Sequence, residues 1–435
     1  MKTKCVVFAT AASAVLLAIV SPSRAQDWTL TSAPNDIGCV WTSVASSADG
    51  AKLVAASPTL GLMETSTDSG ATWSACGAPS NAWYSVASSA DGTRLAAVTF
   101  NGSVYTSPDS GGTWTDVLDV PINSTFPIRN FLPSIASSAD GTKLAAMICP
   151  NGTGQWIIIS TNSGATWVTN HSGAFYANTN GGGARPSFGS VVSSVASSAD
   201  GTKLAVAFAA GDVCTSVDGG LNWTSNNLPQ FNWNSIASSA DGKKLVLATG
   251  LVGLSTPIYL STNGGSTWQM SGAPTNLNTS WRAVASSADG SRLVAVCGWG
   301  MNSTQRGLIY TSADSGLTWI ANNAPNTFWS SVASSADGRK LVATIGVDSS
   351  GIVGGGICIS QSTPAPCLNI TPQGDGFALS WIVPSANFVL QQNSDLTTTN
   401  WTDVVISPAL NLTNLQYQLT VPLTGSLQYY RLAAQ

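Results

Sequence analysis

Residues 83–98 read WYSVASSADGTRLAAV, and the string ASSADG at their centre occurs seven times in the chain. The aspartates of the seven copies are Asp49, Asp91, Asp140, Asp200, Asp241, Asp289 and Asp337. Successive copies lie 42, 49, 60, 41, 48 and 48 residues apart. Such a spacing, with strand-like flanks, is typical of a closed or stacked array of repeats. The repeat therefore predicts the architecture, although it does not identify a ligand.

Each repeat predicts four short antiparallel strands. In the second copy two apolar runs flank Asp91-Gly92, and an Asp-Gly pair in that setting is a strong hairpin signal. A third strand is expected at residues 103–106, and a fourth follows Trp114. Four short strands joined by tight turns describe one blade of a β-propeller. The sequence therefore predicts an all-β protein, a seven-bladed propeller with four-stranded antiparallel blades.

A second motif, Ser-x-Asp-x-Gly-x-x-Trp with Asn at the acid position in two copies, follows the third strand of six repeats. Its acid position holds Asp68, Asp109, Asn162, Asp218, Asn263 and Asp314. The motif resembles the Asp-box of the BNR, or sialidase-type, repeat family. In such a turn a short acceptor bonds backbone amides and glycine supplies a positive φ. Because Asn replaces Asp in two copies, we assign the boxes to turns rather than to metal binding or proton transfer.

The seventh repeat lacks an Asp-box and the tryptophan strand that follows it. Residues 27–30, DWTL, resemble this missing strand. We therefore expect the amino-terminal strand to complete the last blade, because ring closure removes the two free sheet edges of an open array. An open solenoid is the alternative.

The two ends of the chain predict an export signal and a small separate module. Residues 1–25 combine two lysines, an apolar run and a small-residue cleavage site, which indicates a signal peptide. A single amino-terminal membrane helix is the alternative. The propeller then comprises residues 26–361, a linker follows at 362–367, and residues 368–435 resemble a fibronectin type III or immunoglobulin-like β-sandwich. We expect a secreted, periplasmic or cell-surface protein, with surface attachment as one role of the terminal module.

The composition narrows the range of functions. Only 9% of residues are charged and the net charge is −4, whereas nucleic-acid binding needs clustered Lys and Arg. The chain has one histidine, His171, and one glutamate, Glu64. No metal or cofactor is expected, and no segment after the leader is apolar enough over a sufficient length to span a membrane.

The predicted strand order places the Asp-Gly hairpins and the Asp-boxes on one face of the propeller and the long, variable connections on the other. Variable loops on a rigid ring are where recognition usually occurs. Five tryptophans that begin inner strands would surround the channel mouth, where they either contact a ligand or wedge between blades. The candidate ligand contacts are Trp41, Trp83, Trp233, Trp281 and Trp329, with Trp299, Arg306, Asp212 and Asp348 from the loops.

A sialidase-like enzyme is the alternative to a binding protein. A glycosidase needs two carboxylates across the scissile bond, for which Asp119, Asp212 and Asp348 are the candidates. The resemblance to sialidases implies an arginine triad with an Arg-Ile-Pro motif, which is not recognisable here, so no catalytic residue is assigned. Similarity also extends to the propellers of photosystem assembly factors and sortilin-type receptors, which bind polypeptides.

We therefore expect an exported, non-catalytic protein that recognises carbohydrate or an extracellular protein through the loop-rich face. A divergent glycoside hydrolase or lyase is the first alternative. It requires two acids and an arginine to converge at the channel mouth. A purely structural extracellular protein is the second.

Overall fold

The computed structural model describes residues 7–10, 13–15, 26–35, 39–119, 133–148, 156–170, 192–208, 211–250, 256–275, 279–300, 307–346, 355–361, 368–373, 376–382, 388–394, 400–411, 416–422 and 428–434. The regular elements in these ranges are β-strands. None of the described segments forms an apolar helix of membrane-spanning length. Three strands precede the first repeat: β1 (Val7–Thr10), β2 (Ser13–Val15) and β3 (Thr29–Leu30).

Seven four-stranded antiparallel sheets form the blades of the predicted propeller. Blades 1 to 3 contain β4 (Ser43–Ser46), β5 (Leu53–Ala56), β6 (Met63–Ser66), β7 (Ser74–Ala75); β8 (Trp83–Ser88), β9 (Leu95–Thr99), β10 (Val104–Ser107), β11 (Thr115–Leu118); and β12 (Ser134–Ser137), β13 (Leu144–Ile148), β14 (Trp156–Ser160), β15 (Val168–Asn170). Blades 4 and 5 contain β16 (Val192–Ser197), β17 (Leu204–Phe208), β18 (Gly211–Ser216), β19 (Thr224–Phe231); and β20 (Trp233–Ser238), β21 (Leu245–Thr249), β22 (Ile258–Ser261), β23 (Gln269–Met270). Blades 6 and 7 contain β24 (Thr279–Ser286), β25 (Leu293–Gly300), β26 (Ile309–Ser312), β27 (Ile320–Ala321); and β28 (Trp329–Ser334), β29 (Lys340–Ile345), β30 (Gly356–Gln361), with β3 as the fourth strand.

The Asp-Gly hairpins are fixed by local hydrogen bonds that explain why their sequence repeats. In blade 2 the Ser89 hydroxyl donates to Asp91 Oδ1 at 2.6 Å, and the Thr93 amide donates to the same oxygen at 2.9 Å. Gly92 has a φ of +67°, and a Cβ there would lie 2.8 Å from the Lys52 side chain of blade 1. Glycine is therefore required both by the backbone and by the stem of the neighbouring lysine.

The ring closes as predicted from the missing strand. β3 pairs antiparallel with β30, with Thr29 opposite Ile359 and Leu30 opposite Cys358. Trp28 is 7% exposed and belongs to the core between blades 6 and 7, its ring centroid 6.2 Å from that of Trp329. The strand β3, which precedes blade 1 in the chain, therefore completes blade 7.

A second closed ring surrounds the channel axis at the hairpin face. The alanine of each ASSADG string donates its amide to the carbonyl of the equivalent alanine in the next blade, at 2.7–2.8 Å. The seven members are Ala48, Ala90, Ala139, Ala199, Ala240, Ala288 and Ala336, and the Ala336 amide returns to the Ala48 carbonyl. These bonds satisfy backbone groups at the inner sheet edges, which would otherwise lack partners.

The carboxy-terminal residues form two further antiparallel sheets that share one core. Their strands are β31 (Asn369–Gln373), β32 (Gly376–Ile382), β33 (Phe388–Asn393), β34 (Thr402–Asp403), β35 (Ala409–Asn411), β36 (Gln416–Pro422) and β37 (Gln428–Ala434). Leu379 and Trp381 of one sheet pack with Leu390 and Tyr430 of the other. β1 also pairs with β37. The domain limits, the export signal and the fibronectin-like resemblance stay predictions.

Candidate functional site

The hairpins and the Asp-boxes lie on the same face of the propeller. Lys52 Nζ of the blade 1 hairpin donates to Ser110 Oγ in the box of blade 2, at 3.1 Å. Lys340 of blade 7 makes the same contact with Ser69 of blade 1, at 3.0 Å. The strand order therefore directs the remaining connections to the opposite end of the channel, which we call the loop-rich end.

The Asp-boxes have the geometry of self-contained turns. Asp68 Oδ1 accepts from the Thr72 amide and the Ser66 hydroxyl, both at 2.8 Å, and Oδ2 accepts from the Thr72 hydroxyl at 2.6 Å. The bonds from Thr72, and then that from Ser66, lower the pKa of Asp68 to about 2. Asn162 Oδ1 still accepts a hydrogen bond from the backbone N–H of Thr166. Its Nδ2 donates to the Thr166 hydroxyl at 2.8 Å. The amide therefore replaces the acid with one hydrogen bond reversed.

We expect Asp314→Asn to leave the stability of the propeller nearly unchanged and Asp314→Ala to lower it by about 1 kcal/mol. The carboxylate accepts from the Ser312 hydroxyl and the Thr318 amide, at 2.8 and 2.9 Å, and asparagine can accept the same bonds. Urea unfolding of both variants measures the difference. Equal destabilisation by the two substitutions would show that the charge itself matters.

The five tryptophans at the starts of inner strands are buried between strands and blades. Trp281 is 0% exposed and donates its indole N–H to the Thr256 carbonyl at 2.8 Å. Its ring also makes an edge contact with Tyr310, with centroids 5.3 Å apart. The whole set is 0–2% exposed: Trp41, Trp83, Trp233, Trp281 and Trp329. A ring without an exposed face cannot stack on a ligand. These residues therefore pack between blades, and the proposed site does not include them.

The four loop candidates are placed only in part. Trp299 lies at the end of β25 and Asp212 lies in β18, but their side chains are outside the described structure. Arg306 and Asp348 lie outside the described residues. These four therefore stay predictions.

A position that the sequence analysis did not single out lies beside the buried tryptophans. The pairing of first and second strands shifts register there in five blades, at Tyr84, Ser193, Asn234, Arg282 and Ser330. Such a β-bulge redirects a side chain. Asn234 Nδ2 donates to the Trp281 carbonyl at 2.8 Å, and Ser330 Oγ donates to the Trp41 carbonyl at 2.6 Å. The bulges therefore place polar side chains around the channel at its loop-rich end.

The charge of Arg282 acts on Tyr84 from another part of the ring. The two residues belong to blades 2 and 6, which are not neighbours in the ring. Burial raises the pKa of the Tyr84 hydroxyl, whereas the guanidinium of Arg282 acts on it in the opposite direction through charge and hydrogen bonding. Gly298 leaves room for the arginine stem, since a Cβ at Gly298 would lie 3.0 Å from Arg282 Cβ. A cation and a phenol thus both lie at bulges at the loop-rich end of the channel, in different blades.

Arg282 differs from the other cations of the propeller. Among propeller residues whose side chains the structure describes, the other cations all lie on hairpins: Lys52, Arg94, Lys143, Lys203, Lys243, Lys244, Arg292, Arg339 and Lys340. The ion pair within the described ranges joins Arg339 to Asp337, also on the hairpin face. Arg282 therefore supplies the described positive charge of the loop-rich end.

The sequence does carry a signal for this position. In each repeat, the residue that directly follows the strand-starting residue differs from blade to blade. In successive blades it is Thr42, Tyr84, Pro133, Ser193, Asn234, Arg282 and Ser330. The residues after it scarcely change from repeat to repeat. Variation at this position, followed by residues that scarcely change, indicates that packing within the blade does not determine which residue type stands there.

No family model and no curated protein matches the chain. Solved structures do match. YCF48 from Cyanidioschyzon merolae is 14% identical with a TM-score of 0.52, over 77% of this chain and 98% of that one. YCF48 bound to D1 peptide is 14% identical with a TM-score of 0.51, over 79% and 98%. The GH74 xyloglucanase from Xanthomonas campestris is 17% identical with a TM-score of 0.55, over 82% of this chain and 59% of that one. The chain is thus a β-propeller, and these likenesses show the fold alone.

Proposed function

We propose that the protein is an exported, non-catalytic binding protein that holds an extended polypeptide segment at the loop-rich end of its channel. The observation that carries this proposal is the geometry of the bulges, which place Tyr84 and the half-buried Arg282 at the loop-rich end, where Arg282 supplies the described positive charge. YCF48, whose propeller is similar in fold, has been solved with a D1 peptide bound. That likeness supports a polypeptide ligand as the first class to test.

The chemistry of the two side chains favours a ligand that carries a carboxylate. A guanidinium offers a planar set of donors that matches a carboxylate with two parallel hydrogen bonds. Arg282 is half-buried, so such a bond is shielded from water and strengthened. Tyr84 adds an aromatic face and a hydroxyl, a combination enriched at protein interfaces. An acidic side chain or a chain terminus of the bound segment would therefore meet Arg282.

Carbohydrate is the second ligand class, and the fold of the GH74 xyloglucanase is the observation that favours it. Hydrolysis would need two carboxylates placed across a glycosidic bond. The described hairpin and box acids are engaged in their own turns on the opposite face. Release of reducing ends from a panel of plant and bacterial polysaccharides would contradict the non-catalytic proposal.

We expect Arg282→Gln to weaken binding of selected peptides by about tenfold or more, because it removes a charge-assisted pair of hydrogen bonds. The peptides are selected on the full chain from a random library, and calorimetry measures their affinity. Arg292→Gln is the matched control, since Arg292 lies on the hairpin face and should leave affinity unchanged.

Unaltered affinity in Arg282→Gln would contradict the role of the channel mouth. If no peptide is enriched and a glycan array gives a signal lost in Arg282→Gln, carbohydrate replaces polypeptide as the ligand.

A further inference from the structure

The hairpin end of the channel is covered over part of its circumference. Ala240, Ala288 and Ala336 are 7%, 8% and 5% exposed and form one apolar cluster. Tyr417 of the carboxy-terminal module packs against this cluster. Ala90 of the same ring is half-buried and is not a member of the cluster. The side chain of Tyr417 therefore sits over one side of the axial ring, above blades 5 to 7.

The blade 7 hairpin is also buried, although it shares the string ASSADG with its six counterparts. Asp337 and Arg339 are each 8% exposed, whereas Asp91 and Asp289 are exposed. Burial raises the pKa of Asp337, against bonds from Ser335 and the Arg339 amide and the charges of Arg339 and Arg292. In Asp91 the hydrogen bonds outweigh burial and lower the pKa. Arg339 lies against Asp337, but Arg339 is itself buried, so further covering atoms come from outside this hairpin.

The residue after the hairpin glycine marks blade 7 in the sequence as well. It is Ala51, Thr93, Thr142, Thr202, Lys243, Ser291 and Arg339 in successive blades. Arg339 is thus the longest side chain at this position and is nevertheless buried, with its Nε 3.9 Å from Asp337 Oδ2. Burying both charges removes them from water, a cost that their mutual attraction and their hydrogen bonds must offset.

We propose that the carboxy-terminal module is a resident cap on the hairpin-side mouth of the channel. Tyr417 packs against the alanine cluster near the axis, and we assign the cover of the buried blade 7 hairpin to the same module. Trp381 supports Tyr417 from within the module, with ring centroids 5.8 Å apart. The cap narrows the opening on the hairpin side, over blades 5 to 7. This inference concerns the opposite end from the proposed binding site and does not depend on the ligand.

Hydrogen exchange of the full chain tests the cap. Ala288→Lys places a charged side chain in the alanine cluster against which Tyr417 packs, and Ala90→Lys makes the same change at the equivalent position of blade 2. We expect Ala288→Lys to speed amide exchange in the segment 336–341, and Ala90→Lys to leave that segment unchanged. Equal exchange in both variants, or no effect of Ala288→Lys, would overturn the cap.

A second pair of variants distinguishes undocking from damage to the ring. Tyr417→Arg acts from the module, and Val405→Arg is its control because Val405 is 95% exposed on the same module. The cap predicts faster exchange at 336–341 in Tyr417→Arg, with the blade 2 hairpin at 89–94 unchanged. Amide exchange in the module strands Gly376–Ile382 and Gln428–Ala434 reports whether the module itself stays folded. A folded Tyr417→Arg module with an unaltered blade 7 hairpin would contradict the proposal.

Discussion

A chain that lacks residues 26–31 is expected to melt at a temperature lower by roughly 10 °C or more. The deletion removes Trp28, which is 7% exposed in the core between blades 6 and 7, and the strand partner of β30. Loss of a buried tryptophan alone costs about 3–5 kcal/mol. The deletion also leaves β30 as a free edge, and the melt is followed by circular dichroism.

Leu30→Ala is the matched control for this deletion. Leu30 lies on the same strand but is 50% exposed, so its truncation should change the melting temperature little. A deletion variant that melts like the intact chain would contradict closure by the amino-terminal strand.

Trp281→Ala is expected to destabilise the propeller by about 3–5 kcal/mol. The substitution empties a fully buried site against Tyr310 and leaves the Thr256 carbonyl without its indole donor. Guanidinium chloride unfolding measures the loss, and Trp281→Phe should recover part of it by filling some of the volume. If Trp281→Ala kept full stability and lost only ligand binding, the tryptophan would be a contact residue after all.

The fold was predictable because its information is local and repeated. Each hairpin is fixed by Ser, Asp and Gly within a few residues, as the Ser89–Asp91 bond shows. The closing strand was predictable for a related reason, since the seventh blade lacked a unit that residues 27–30 resemble. Seven similar turns and one missing strand leave little freedom in the topology.

The site was harder to predict because the type of a residue does not determine whether its side chain is buried. A tryptophan at the start of an inner strand, such as Trp281, is equally consistent with packing between blades and with stacking on a ligand. Arg282 was not predicted because recognition usually occurs on variable loops, whereas the signal for Arg282 is variation beside residues that scarcely change. The contact of Tyr417 with the alanine cluster joins distant parts of the chain, so no local pattern predicts it.

Cross-linking of β3 to β30 of blade 7 is the most direct test of the closed ring. Thr29→Cys with Ile359→Cys places two thiols opposite each other on paired strands, within the separation that a disulfide spans. The control pairs Thr29→Cys with Ile159→Cys, which holds the equivalent place in blade 3 opposite Val168. Mass spectrometry of unreduced peptides identifies the bond. A closed seven-bladed ring predicts a 29–359 disulfide and no 29–159 disulfide. Absence of the first, or equal yields of both, would contradict the closed ring.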